Sequence, residues 1–213
     1  PGDPVHCTGV LAAEAFDEFG LSSDALLNPL KTARFVGPSG GTIEYTTPRT
    51  EAVVVDRRVF DRSLFTAAAA AGARVQVGAR VLDVSPGRDS ATLSVGSVGP
   101  VQARAVVLAC GASYAMQRRL GLGLPSVHLQ SAQVEIPARV LGPVEVHFGH
   151  RVAPKGFAWA VPVVRPHGRF ARIGLMCDGN AREYFDRFLA AVAPRWQTGA
   201  DPATVDRPEP RCK

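Results

Sequence analysis

The stretch AVVVDRRVFDRSLF at residues 52–65 gives the strongest structural signal in the chain. Its β-branched run favours a buried strand, and Asp56 directly after it can accept hydrogen bonds from the first free N–H groups of a helix. Phe60 and Leu64 then fall on one helical face, and an alanine run continues the helix until Gly72 ends it. The stretch therefore predicts a strand followed at once by an amphipathic helix.

Short alternating segments after this unit predict further strands. Residues 74–77 and 80–84 alternate apolar and polar side chains, and residues 91–95 with 101–103 predict a hairpin around a glycine-containing loop. Residues 105–109 (AVVLA) form a continuous apolar run, which is typical of a strand buried on both faces of a parallel sheet. Strand, helix, hairpin and buried strand in this order indicate an α/β domain.

Beyond residue 111 the pattern changes to longer alternating segments, which suit an antiparallel sheet. These segments are residues 127–136, 144–148, 157–164 and 170–176. A helix is predicted over residues 181–193, with Pro194 as its stop. Because two short strands are also predicted within residues 35–55, that segment is a candidate member of the second sheet.

The predicted fold class is α/β, or α+β overall, with a partial Rossmann-like parallel sheet and an interleaved antiparallel sheet. The first domain is expected at residues 1–112 and the antiparallel domain at residues 113–193. Residues 194–213, which contain several Pro and Asp residues, are expected to be a linker.

Composition narrows the classes of function. The chain has 213 residues, 46% of them hydrophobic, and a net charge of +5, which indicates an ordinary globular protein. Its basic residues are scattered, so nucleic acid is not expected as a partner. The four cysteines lie far apart and the histidines lack metal-ligand spacing, so no metal site is expected. No apolar stretch is long enough to span a bilayer, and the expected location is the cytoplasm.

Four segments, in this order, resemble the geranylgeranyl reductase family of FAD-dependent oxidoreductases. HCTG at residues 6–9 matches the family's C-x-G turn, and DRRVFDRSL at 56–64 is similar to its D-R-x-x-F-D-x-x-L helix start. VLACGASY at 107–114 stands where the family has A-D-G or A-T-G, with Cys110 in place of Asp or Thr. PKGFAWAVP at 154–162 resembles P-x-G-Y-x-W-x-F-P, with Phe for Tyr and Val for Phe.

This resemblance implies a glutathione-reductase-like flavin fold, in which residues 1–112 are a partial FAD-binding domain. The residues that it places near the FAD are Cys7, Gly9, Arg57, Val81 and Gly111. Glycine suits such a site because it lets the backbone approach a flat cofactor. Two alternatives stay open: the turn at Cys7 could be an ordinary surface turn with a buried cysteine, and Arg57 could form a surface ion pair. No catalytic residue is assigned.

The resemblance also implies a substrate-binding strand. Phe157, Trp159 and Val161 would line a cavity for an isoprenoid or similar apolar substrate, whose C=C bonds are reduced by hydride transfer from the flavin. NAD(P)H or another electron donor would reduce the flavin. The alternative is that these three side chains simply face the core of the sheet.

Members of the family begin with a G-x-G-x-x-G turn that holds the FAD pyrophosphate, and they later carry a Gly-Asp motif; neither is found in this sequence. The chain is therefore expected to be an internal fragment of a longer protein and to bind FAD weakly by itself. Two other functions are considered, a flavin-dependent monooxygenase and a non-catalytic carrier of apolar ligands. An isoprenoid-lipid substrate would also make peripheral membrane contact reasonable.

Overall fold

The computed structural model describes residues 7–198 and the backbone of residues 211–212. The helices are α1 (Glu14–Glu18), α2 (Arg57–Ala70), α3 (Ala115–Arg119) and α4 (Ala181–Val192), with short 3₁₀ turns at Ser23–Ala25 and Ala193–Trp196. The strands are β1 (Val10–Ala12), β2 (Leu26–Leu30), β3 (Thr32–Val36), β4 (Thr42–Thr46), β5 (Ala52–Val55), β6 (Val81–Pro86), β7 (Ala91–Val95), β8 (Gly99–Ala103), β9 (Gln130–Pro137), β10 (Val144–His147), β11 (Phe157–Arg165), β12 (Gly168–Cys177) and β13 (Arg211–Cys212).

The strands of these described residues form three sheets. A large sheet has the order β13-β9-β12-β11-β10-β3-β4, a small sheet has the order β1-β5-β2, and a meander consists of β6-β7-β8. Neighbouring strands run antiparallel except β10 and β3, which are parallel. The prediction of a mixed α/β fold is confirmed, with strands dominating.

The chain divides into two compact units. The first unit contains the large and small sheets and combines residues up to Ala67 with residues from Leu129 to Cys212. The second unit contains residues 68–128, with the meander and α3. The large sheet draws β3 and β4 from the first part of the chain and its other strands from residues 130–212, so its strands interleave in sequence.

The strand and helix predicted around Asp56 are present as β5 and α2. Val54 and Val55 are fully buried because β5 is the central strand of the small sheet. The Asp56 Oδ1 atom accepts hydrogen bonds from the backbone nitrogens of Arg58 at 2.9 Å and Val59 at 3.3 Å. Asp56 is therefore the N-cap of α2, as the sequence predicts.

The large sheet buries apolar side chains on both faces. One face packs against α4, whose Phe185, Phe188 and Leu189 join the alanine and isoleucine side chains of β9, β11 and β12. The other face packs Trp159 and Val161 against residues of the small sheet. Asn28 of β2 ties the two sheets together, because its side chain bonds the Pro162 carbonyl oxygen at 3.2 Å and the Val164 nitrogen at 2.9 Å.

Three local predictions are wrong. Residues 105–109 are not a strand, and the Val107 side chain is 89% exposed. A strand requires a hydrogen-bonded neighbour, and no strand of the described residues pairs with this run. Residues 74–77 also form no strand. The family resemblance also implies a helix over residues 11–19 after the C-x-G turn, but this segment begins as β1 and turns helical only at Glu14.

The described residues that follow α4 form regular structure, although a linker was expected from residue 194 onward. The 3₁₀ turn after α4 buries Trp196, and Ala138 forms an isolated bridge with Thr198. The rest of the expected linker, apart from the backbone of β13, lies outside the described residues. None of the helices in the described part of the chain combines the length and apolarity needed to cross a bilayer.

Candidate functional site

The turn at Cys7–Gly9 lies in the first unit, between the small sheet and the large sheet. Gly9 has a φ angle of +67°, a conformation that favours glycine. A Cβ atom at this position would stand 2.7 Å from the Arg172 Nη1 atom and 2.8 Å from the Val55 carbonyl oxygen. Both the backbone angle and the lack of space therefore require glycine at position 9.

Three successive carbonyl groups hold this turn in place. The Cys7 oxygen accepts a hydrogen bond from Gln133 Nε2 at 3.2 Å, and the Thr8 oxygen accepts one from the Arg172 guanidinium. The Gly9 oxygen accepts a third from the Val55 nitrogen, at 2.8 Å. The turn is thus fixed by β9 and β12 of the large sheet and by β5 of the small sheet.

Arg172 also belongs to a buried ion-pair network. Its side chain is 2% exposed, and its Nε and Nη2 atoms lie 3.0 Å and 2.7 Å from the Glu135 Oε2 atom. Glu135 is shared with Arg165, whose Nε atom lies 2.6 Å from Oε1. Arg165 in turn contacts the carboxylate of Asp56. The network therefore connects the Cys7–Gly9 turn to the N-cap of α2.

These contacts determine the charge state of the carboxylates. Burial alone would raise the pKa of Glu135, but the hydrogen bonds from Arg165 and Arg172 outweigh it and lower the pKa below its usual value. Burial likewise opposes ionisation of Asp56, whose pKa is lowered by Arg165 and by the helix N–H groups that it caps. Both groups remain ionised at neutral pH, which keeps the two arginines paired.

Arg57 stands at the start of α2 beside the turn. Its guanidinium pairs with Asp61 one helical turn later, at 2.9 Å. Burial opposes the charge, but hydrogen bonding to Asp61, with a smaller contribution from Cys7, raises the pKa of Arg57. The ion pair is the alternative that the sequence left open for Arg57, and contact with a cofactor phosphate stays a prediction.

Trp159 lies on the face of β11 that points towards the small sheet. Its side chain is 5% exposed, and its Nε1 atom donates a hydrogen bond to Gln133 Oε1 at 3.2 Å. Gly174 lies beneath the indole, since a Cβ atom there would stand 2.6 Å from the Trp159 ring. Trp159 is thus connected through Gln133 to the carbonyl of Cys7.

The other two predicted substrate residues differ in their surroundings. Val161 is 1% exposed and packs with Leu30 and Val54 in the core between the sheets. Phe157 is 36% exposed, and its ring centre lies 5.6 Å from that of Trp159. The burial of Trp159 and Val161 agrees with the packing alternative, and a role of the three residues in binding substrate stays a prediction.

An apolar cavity of about 220 Å³ lies in the same layer of the molecule, between the two sheets. Its walls include Val10, Leu30, Ala52 and Val144, which also pack around Trp159 and Val161.

Val81 and Gly111 belong to the second unit. Val81 begins β6 and is 40% exposed, and Gly111 lies in a turn with a φ angle of +60°. No heavy atom of the described residues comes within 4 Å of where a Cβ atom at Gly111 would stand. The structure thus brings Cys7, Gly9 and Arg57 together in one unit, whereas Val81 and Gly111 lie in the other.

The sequence predictions missed Gln133 and Arg172, whose side chains hold the turn, and Glu135 and Arg165, which complete the ion-pair network around Arg172. The signal for them was weak, because polar residues at every second position of β9 are also typical of a face exposed to water. Only the strand register, which places Glu135 opposite Arg172 and Gln133 opposite Gly174, shows that they meet.

A second charged cluster lies on the opposite face of the large sheet. Glu145 is buried and pairs with His147 at 2.9 Å, Arg195 at 2.7 Å and Arg34 at 3.3 Å. The His147 ring packs edge-on against Phe188 of α4, with ring centres 4.9 Å apart. These contacts fill the available positions around the carboxylate and support a structural role for His147.

Comparison with known proteins identifies similar sequences. No family model matches the chain. The digeranylgeranylglycerophospholipid reductase of Methanoculleus marisnigri is 29% identical to it over 221 aligned positions, which cover 92% of this chain and 54% of that protein. The predicted resemblance to the geranylgeranyl reductase family is confirmed. The chain spans about half the length of the curated relatives that it matches.

Solved structures support the fold. A geranylgeranyl bacteriochlorophyll reductase-like protein from Thermoplasma acidophilum superposes with a TM-score of 0.78 and 23% identity, covering all of this chain and 56% of that protein. The halogenase PltM, solved with phloroglucinol and FAD, gives a TM-score of 0.63 and 16% identity, covering 94% of this chain and 46% of the halogenase. At these identities the likeness shows a shared fold.

Proposed function

We propose that the chain is part of an FAD-dependent reductase that reduces C=C bonds of an isoprenoid lipid. The observation that carries this proposal is the joining of two family motifs that are far apart in sequence. The Cys7–Gly9 turn and the strand containing Trp159 are connected by the Gln133 side chain. The names of the sequence relatives, which are digeranylgeranylglycerophospholipid reductases, indicate the reaction and the class of substrate.

The described residues suit one side of a bound FAD. The Cys7–Gly9 turn offers a backbone that three hydrogen bonds hold in place, and no heavy atom of the described residues lies within 4 Å of a Cβ position at Gly111. Cys7, Gly9 and Arg57 are the proposed cofactor contacts of the first unit, and Val81 and Gly111 are proposed separately as contacts of the second unit. When bound, the flavin supplies the hydride chemistry, and NAD(P)H or another donor returns it to the reduced state.

The protein contributes position and exclusion of water. Phe157, Trp159 and Val161 would form an apolar wall for the isoprenoid chain, and the neighbouring cavity of about 220 Å³ extends the apolar layer. An apolar cavity of about 150 Å³ is large enough for benzene. The cavity, which shares Val10, Leu30, Ala52 and Val144 with the cluster around Trp159, is therefore large enough for a branched isoprene unit.

Peripheral contact with a membrane follows from the proposed substrate. An isoprenoid lipid resides in the bilayer, and the net charge of +5 is compatible with a mild attraction to anionic lipid surfaces. We place the protein in the cytoplasm, where it would meet the membrane from the aqueous side.

The test is to incubate the full-length parent protein, loaded with FAD and reduced with dithionite, with a lipid that carries geranylgeranyl chains, and to measure the lipid by mass spectrometry. The proposal predicts a gain of two hydrogen atoms per reduced double bond. A lipid that keeps all its double bonds would overturn it. In a parallel assay with NAD(P)H, O₂ and an aromatic substrate, insertion of an oxygen atom would identify the protein as a monooxygenase, and lipid binding without any reaction in either assay would identify it as a carrier.

A further inference from the structure

The Gln133 side chain uses both ends of its amide group. Its oxygen accepts from the Trp159 indole N–H at 3.2 Å, and its nitrogen donates to the Cys7 carbonyl at 3.2 Å. An indole N–H can only donate and a carbonyl oxygen can only accept. The orientation of the amide is therefore fixed by its two partners.

The strand register explains how Trp159 reaches Gln133. Gln133 of β9, Gly174 of β12 and Trp159 of β11 lie opposite one another on three adjacent strands. The outer two strands are roughly 10 Å apart, since neighbouring strands are separated by about 4.8 Å. Because Gly174 carries no side chain, the indole can lie across β12 and approach Gln133.

We propose that Gln133 is a positioning residue that couples Trp159 to the Cys7–Gly9 turn. A substrate group that displaces the indole removes the bond to the Gln133 oxygen, and the released amide no longer holds the Cys7 carbonyl in place. The wall of the substrate site and the turn beside the flavin therefore respond together. This inference rests on the proposed function for its biological meaning, whereas the coupling itself is a property of the chain alone.

The test uses two readouts that do not require flavin. The first is the rate at which iodoacetamide alkylates Cys7, resolved from the other cysteines by peptide mass spectrometry. The second is ¹⁹F NMR of protein that contains 5-fluorotryptophan, in which loss of one signal in Trp159→Phe assigns Trp159. Buried Cys177 serves as an internal reporter, because its alkylation rises only when the first unit unfolds.

Three variants separate the two bonds. Gln133→Met removes both bonds at similar volume, and Gln133→Glu keeps an acceptor for Trp159 but cannot donate to the Cys7 carbonyl. Trp159→Phe removes only the indole donor. Losing a hydrogen bond of about 1 kcal/mol corresponds to about a fivefold increase in the Cys7 alkylation rate. Gln102→Met, an exposed glutamine on β8 in the second unit, is the matched control.

Coupling predicts that Trp159→Phe also increases the alkylation rate of Cys7, although this variant leaves the bond between Gln133 and the Cys7 carbonyl chemically possible. In a Gln133→Met background, Trp159→Phe should cause no further increase in that rate. The Trp159 signal should shift in Gln133→Met and stay close to its original position in Gln133→Glu. Additive effects, or an unchanged Cys7 rate in Trp159→Phe, would overturn the proposal. If coupling is found but no isoprenoid is reduced, the coupling stands and only the proposed function fails.

Discussion

Replacing Arg172 by methionine removes the side chain on which the Cys7–Gly9 turn and the ion-pair network both depend. Arg172 is almost completely buried, and it donates to Glu135 through two nitrogens and to the Thr8 carbonyl through the third. Methionine fills part of the same volume without donating. The variant leaves the Thr8 oxygen unsatisfied and leaves Glu135 with Arg165 as its remaining partner.

The magnitude follows from these contacts. Breaking a buried ion pair by removing one partner costs about 3–5 kcal/mol when the remaining charge is left alone. Because Arg165 still pairs with Glu135, we expect the low end of that range, about 3 kcal/mol. For a chain of this length, that loss corresponds to a fall in melting temperature of roughly 6–12 °C.

The assay is urea unfolding followed by tryptophan fluorescence. Both tryptophans, Trp159 and Trp196, lie in the first unit, so the signal reports the unit that contains Arg172. The matched control is Arg169→Met on the same strand, since the Arg169 side chain is exposed. A loss in Arg172→Met within about 0.5 kcal/mol of the control, which is the range of ordinary surface substitutions, would refute the reasoning.

Three further predictions concern packing and pH. Gly174→Ala forces the Trp159 ring away and should lower the free energy of unfolding by about 2–3 kcal/mol, with a change in tryptophan emission; an unchanged spectrum would contradict the tight contact. Gly156→Ala places a Cβ atom 1.9 Å from the Met176 carbonyl oxygen, a backbone atom, and should cost at least about 3 kcal/mol or prevent folding, as circular dichroism would show. Because the folded pKa of Glu135 is lowered, its contribution to stability is present above the unfolded value near 4.5 and is lost as the pH falls through the lower folded value. Glu135→Gln should therefore lose less stability than the unmodified chain between neutral and acidic pH, and an identical loss in urea titrations would contradict this assignment.

Elements governed by local sequence were the ones that could be predicted. The strand, cap and helix around Asp56 depend on neighbouring residues, and the structure reproduces them. The segments of β10, β11 and β12 were also predicted as strands, although β11 and β12 bury side chains at successive positions and the buried residues of β10 are Glu145 and His147. The apolar run at residues 105–109 shows the limit of this approach, since an apolar composition does not supply a neighbouring strand.

The residues that hold the site could not be found in the same way. Arg172 and Glu135 meet only because β12 and β9 pair in one register, and a shift of one residue would place them on opposite faces. The need for glycine at positions 9 and 174 likewise arises from side chains that are distant in sequence. Resemblance to a family indicated the turn and the tryptophan strand, but the contacts between them required the structure.

The most direct test of the proposed site is the alkylation rate of Cys7 with and without FAD, at FAD concentrations where the change in flavin fluorescence shows binding. If the Cys7–Gly9 turn lies against the flavin, the rate at Cys7 falls with the same dependence on FAD concentration as the fluorescence change. If FAD binds and the Cys7 rate does not change, the turn is not at the flavin and the proposed site is wrong.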